Sequence, residues 1–134
     1  MRTKFWRFAY NDNLLKDIMA SGQLIFPGLD LWPAAKNDSE EKIMSSLKVD
    51  HFILLANFDS TSETGTVHGV GKVINIKNGE PIIKWKKPIP SWALQPDRRG
   101  GVPQWKKEGV FCFDVNSAKR YKLDSLTKKL FQDS

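Results

Sequence analysis

Five tryptophans, at positions 6, 32, 85, 92 and 105, are the side chains with the most recognition chemistry to offer in this 134-residue chain. Trp6 and Trp85 fall in runs that read as strands. Trp32, Trp92 and Trp105 fall in loops, near Pro33, Pro90 and Pro103. An indole left in water costs free energy unless a ligand covers it. Its π-face can stack on a nucleic-acid base, with each stacked base contributing roughly 1–3 kcal/mol. The competing reading is that these rings close the ends of a small core, as large aromatics commonly do.

The positive charge lies in the same part of the chain. Net charge is +6, yet residues 1–71 are net negative, and almost the whole excess falls in residues 72–107. That stretch holds Lys72, Lys77, Lys84, Lys86, Lys87, Arg98, Arg99, Lys106 and Lys107. Such asymmetry favours a polyanionic partner, although a solvated lysine face that keeps a protein soluble has the same composition. Lys84, Lys86, Lys87, Arg98, Arg99, Lys106 and Lys107 are the expected phosphate contacts, beside Trp92 and Trp105.

Catalysis has little to build on, and no enzyme is expected. The chain has no nucleophile elbow, phosphate-binding glycine loop or His-x-x-x-His pair. His68 could serve as an acid or base near Lys72 or Asp59, but a half-buried structural histidine explains it as well. With Cys112 the single cysteine and His51 and His68 the two histidines, no disulfide, cysteine-rich zinc site or other metal site is expected, and no cofactor is called for. The most apolar stretch, residues 52–56, is far short of the roughly 18 residues of a membrane span. No signal-peptide region follows the basic start, so a cytoplasmic protein without a membrane partner is expected.

The elements that must position these residues can be read from pattern. Residues 3–10 are aromatic-rich and read as a strand, closed by Asn11, Asp12 and Asn13. A helix follows, with Asp12 as N-cap, Leu14, Leu15, Ile18 and Met19 as its apolar stripe and Gly22 as terminator. Residues 23–36 read as a short strand and a loop. Asp38 and Glu41 stand at capping-box spacing and open a second helix with Ile43, Met44 and Leu47 on its buried side. Residues 51–58 are apolar throughout, as in a central strand covered on both faces, and residues 59–65 form a polar hairpin loop. Residues 66–76 are the next strand, in which Gly69 and Gly71 fall on one face with Val67 and Val73 and mark a bend or a close approach. Asn78-Gly79 signals a type I′ hairpin into a strand over residues 81–87. Residues 88–108 read as a long irregular connection, residues 109–115 as a strand and residues 124–131 as a short helix. The result is a single α+β domain over residues 1–134, a small curved, mostly antiparallel sheet or barrel flanked by short helices.

The order of elements, with the strand from Lys4 to Asn11, Trp32-Pro33 after a helix, the glycine-bearing strand over residues 65–73 and Ile82-Ile83-Lys84-Trp85, resembles the PUA-like superfold. The likeness is to its EVE and YTH branch of modified-base readers. The resemblance implies that the end of the first strand, at Tyr10 and Asn11, lines a base pocket, with Asn11 hydrogen-bonding the base edge. It makes Trp32 a cage wall, with Pro33 shaping the pocket. The tight Asn78-Gly79 turn occupies the place of the family's second cage tryptophan, so the second wall would come from Trp92 or Trp105. Related modules read DNA in modification-dependent restriction systems of the McrBC type. The resemblance therefore implies a reader of a flipped, methylated base (N6-methyladenine or a modified cytosine), with DNA favoured over RNA, working in a larger polypeptide or complex that has motor and nuclease parts. An RNA-binding module, a small nuclease centred on His68 and a protein-interaction domain are the alternatives.

Overall fold

The computed structural model describes residues 3–10, 15–22, 40–59, 61–96, 105 and 109–132, without the side chains of Glu40 and Glu41. In chain order the elements are β1 (Phe5–Phe8), α1 (Leu15–Ser21), α2 (Glu40–Ser46), β2 (Phe52–Asp59), β3 (Thr64–Lys77), β4 (Glu80–Lys86), β5 (Trp92–Leu94), β6 (Val110–Cys112), α3 (Val115–Arg120) and α4 (Leu123–Leu130). The strands form one sheet in the order β4-β3-β2-β1-β6, with β5 also paired to β3. Pairing is antiparallel except between β1 and β2. That parallel pair requires a crossover, and α1 and α2 lie within it. The fold is α+β as expected, but the sheet does not close into a barrel. Strand β4 pairs with β3 alone and the three-residue β6 with β1 alone, so the two ends do not meet.

Alternation along the strands divides the core in two. On one face Phe5, Phe52, Leu54, Ala56, Val67 and Phe111 pack beneath α3 and α4, which bring Leu123 and, just past the helix end, Phe131. On the other face Trp6, Phe8, Tyr10, Ile53, Leu55 and Val73 meet Ile18 of α1 and Ile43 of α2. Strand β2 is covered on both faces, its first five residues all buried, which is why its sequence is apolar without alternation.

Strand β3 carries two register shifts. Leu55 pairs with Gly69 and Ala56 with Val67, leaving His68 as an extra residue, and Ile74 is skipped in the same way against β4. A bulge of this kind reverses the faces beyond it. Val67 therefore lies on the α3/α4 face, while Gly69 and Gly71 share the other with Val73. Counting by twos from Val67 had placed all four together. The close approach at Gly71 is real, but the visitor is the protein itself. A methyl there would collide with the Ile83 side chain and come within 2.6 Å of the Trp85 ring.

The local signals position most of the ends. Gly22 stops α1 with φ +67°, and Asn78 and Gly79 turn the β3–β4 hairpin with φ 54° and 80°, as a type I′ turn requires. The expected cap Asp12 and stripe residue Leu14, the loop over residues 23–36 and the second cap Asp38 lie outside the described residues. Two elements come from segments read otherwise. Strand β5 arises within the proline-rich connection. Helix α3 begins where the last strand was expected to continue, because Asp114 caps it by accepting the Ser117 N–H at 2.7 Å.

Trp105 is the largest departure. It is 3% exposed, lies on the α3/α4 face against Phe58, Phe111 and Phe113, and its ring covers Gly65. Replacing it with alanine should cost about 3–5 kcal/mol of stability, as for other buried large aromatics. Gly71→Ala should cost about 1–3 kcal/mol through overpacking against Trp85 and Ile83. Urea denaturation of the two variants and the wild type measures both.

Candidate nucleic-acid interface

The expected site residues do not form one surface. Asn11, Trp32, Pro33, Arg98, Arg99, Lys106 and Lys107 lie outside the described residues. Tyr10, just past β1, is 4% exposed and belongs to the α1/α2 face. Its ring stands edge-on to His68, with centroids 6.5 Å apart and planes at 83°. The bulge sets His68 against the start of β5, where its Nδ1 lies 3.2 Å from the Ser91 hydroxyl. The histidine that had no partner in the sequence thus has two.

Trp92 and Trp105 are not walls beside Tyr10. Trp92 pairs with Val67, and directly opposed residues of an antiparallel pair share a face. Its half-buried ring therefore packs with the core beneath α3 and α4. Trp105 is on that face too, with no side open to a base. The Arg7 guanidinium lies 4.8 Å from the Trp105 ring centroid and donates to the Trp105 carbonyl at 3.2 Å and the Ala56 carbonyl at 3.1 Å.

Two other tryptophans, assigned to strands from sequence, carry the unexpected polarity. Trp6 pairs with Ile53, Ile53 with Gly71 and Gly71 with Trp85, so one row crosses four strands on the α1/α2 face. The Nε1 atoms of Trp6 and Trp85, at the two ends of this row, are buried and have no hydrogen-bond partner among the described residues. An unmade bond of this kind costs about 1–3 kcal/mol. The signal available in the sequence was that a buried indole needs an acceptor, and neither strand supplies one.

The described lysines of β3 and β4 are on the opposite side. Lys72 faces Lys84 and Val70 faces Lys86 across β3 and β4, and Val70 belongs to the α3/α4 core. Lys84 and Lys87 are exposed. Lys86 is not available as a phosphate contact. Its Nζ donates to the Leu130 carbonyl at the end of α4 at 3.1 Å and lies 5.3 Å from the Phe131 ring. Lys72 is 3.7 Å from Asp50. Like charges opposed across strands repel, so the Lys72–Lys84 pair favours an anion on that side.

Elsewhere, His51 is buried and its Nδ1 accepts the Lys48 N–H at 3.2 Å. Burial, then the charges of Lys4 and Lys48, push its pKa below the ordinary 6.5, with Asp50 opposing. Among the described residues no three His, Cys, Asp or Glu side chains gather where they could hold a metal ion. Among the same residues no helix is long and apolar enough to cross a membrane. No family model matches the chain, and neither a curated protein nor a solved structure matches it.

Two expectations follow from these contacts. Lys86→Ala should lower stability by about 1 kcal/mol, the scale of a cation on helix C-terminal carbonyls, whereas Lys84→Ala, which removes an exposed charge, should leave stability unchanged. Because the folded state holds the His51 pKa down, the unfolded chain takes up this proton first as pH falls. The contribution of His51 is therefore intact above about pH 6.5 and declines below it. Denaturation midpoints across that range should show a slope that His51→Gln removes.

Proposed function

We propose that this chain is a nucleic-acid-binding reader domain that accepts one unstacked base on the α1/α2 face of its sheet. The observation that carries this reading is the pair of buried, unpartnered indole N–H donors of Trp6 and Trp85 on the face that also presents Tyr10. Trp6 and Tyr10 are buried beneath α1 and α2. A base would therefore reach these donors only where that layer parts from the sheet, and its edge would then supply the acceptors they lack. Trp32 and Asn11 would complete the pocket, as the likeness to EVE and YTH domains suggests. Lys84 and Lys87 would hold phosphates, with Arg98, Arg99, Lys106 and Lys107 extending the basic stretch. Within that reading the ligand is a methylated base in DNA, flipped from its stack, and the setting is the recognition part of a modification-dependent restriction system. A YTH-type reader of RNA is the nearest variant. The His68–Ser91 hydrogen bond also allows a second reading, a small hydrolase with Ser91 as nucleophile and His68 as base.

Tryptophan fluorescence titration with methylated and unmethylated oligonucleotides, as DNA and as RNA, tests these readings together. Tighter binding of methylated DNA, weakening with salt and lost in Trp32→Ala, is expected. Equal affinity for methylated and plain strands would overturn the modified-base claim. Trp85→Phe keeps an aromatic ring but removes the N–H, and should weaken binding severalfold. If that donor has no ligand, the change leaves affinity untouched. Turnover of an ester or strand that disappears in both Ser91→Ala and His68→Ala would support the hydrolase instead.

A further inference from the structure

At the other end of β1 from Tyr10, a cavity of about 850 Å³ opens between the start of that strand, the end of β6 and the α3–α4 corner. Its size is that of a small-molecule site. Phe5, Phe113 and Ala118 give it apolar wall, and Cys112 lines it as well, although its side chain packs with Trp6 on the α1/α2 side. Lys4, Lys119 and Lys122 supply positive charge, and none of the three has an ion-pair partner among the described residues. The two carboxylates in the lining are already engaged. Asp114 accepts the Ser117 N–H at 2.7 Å, and Asp124 lies 3.2 Å from Lys128. Lys122 is also the N-cap of α4 and makes no side-chain cap there, so the first-turn N–H groups add partial positive charge to the same corner.

We infer that this cavity binds a small organic phosphate, the phosphate held by Lys4, Lys119 and Lys122 and the apolar body lying against Phe5, Phe113 and Ala118. The three ammonium groups outnumber the two lining carboxylates and leave the cavity net positive, which suits a phosphate, and the apolar wall distinguishes the site from one for inorganic phosphate. The site does not rest on the base-reading proposal, since the length of β1 separates the cavity from Tyr10, although Cys112 borders Trp6.

Cys112, the single cysteine of the chain, provides the readout. Burial raises its pKa, Lys4 acts against that shift and Asp114 adds to it, and all three residues line the cavity. The rate at which a neutral thiol reagent modifies Cys112 is measured with adenosine monophosphate, adenosine or inorganic phosphate present. The expected result is saturable, severalfold slowing by adenosine monophosphate, weaker slowing by phosphate and none by adenosine. Lys119→Gln and Lys122→Asn should each reduce the protection; asparagine suits the left-handed backbone of residue 122, φ 57°. Lys77→Gln, in the β3–β4 hairpin, should leave it unchanged. No slowing by adenosine monophosphate in the wild-type protein would overturn the proposal, whatever the variants do. Equal slowing by adenosine would also overturn it, since the cavity would then be reading the apolar body alone.

Discussion

A guanidinium buried in a sheet is expensive to keep charged, and the organisation of the α3/α4 side follows from how this chain keeps Arg7. Burial lowers its pKa to about 10, and what offsets the cost comes from three separate segments. Arg7 Nε takes the Ala56 carbonyl, at the point where β2 and β3 change register. Trp105 adds a second carbonyl and the face of its ring, and Phe111 stands 6.0 Å from the guanidinium carbon. Trp105 cannot swing out to meet a ligand without withdrawing its carbonyl and its ring from this charge. Residue 65 must stay glycine because the same indole occupies the space of a side chain.

That constraint also explains what could and could not be read from sequence. Periodicity and turn chemistry are local, and they placed β2, the Asn78-Gly79 hairpin, the stop at Gly22 and the terminal helix. Strand β5 is three residues between prolines, too short for alternation to register. Helix α3 was hidden because the alternation of residues 110–113 runs on into Val115, and a single aspartate decides the change. The bulge at His68 has no residue signature, yet it moves Val67 to the other face.

The candidate site was legible in kind rather than in place. A tryptophan in a loop looks the same in sequence whether it waits for a base or fills a core. Trp105 is settled by partners far away in sequence, Arg7 nearly a hundred residues before it and Gly65 among them. Lys86 looks like its neighbour Lys87 until α4 arrives to accept it. The polar feature of the α1/α2 face came from Trp6 and Trp85, whose strand positions had marked them as ordinary core. Pattern shows that an indole is buried, but whether its N–H finds an acceptor depends on residues from other strands.

Charge composition likewise gives the sign of a partner without its side. The described lysines of β3 and β4 lie on the α3/α4 face, whereas Tyr10 and the two unpartnered indoles lie on the other. The proposed base pocket and phosphate grip are thus separated by the sheet, and the chain must offer a route between them. Strand β5 supplies one. Among the described residues it is paired on one side only, to β3, and the residues on either side of its start point opposite ways. Ser91 reaches His68 on the Tyr10 side, and Trp92 packs on the lysine side. On the proposed reading, a nucleic-acid strand passing over this edge could leave its phosphates near Lys84 and Lys87 and turn one base toward Tyr10. Recognition would then depend on a strand flexible enough to bend around β5, which a single strand or a flipped nucleotide satisfies and an intact duplex does not.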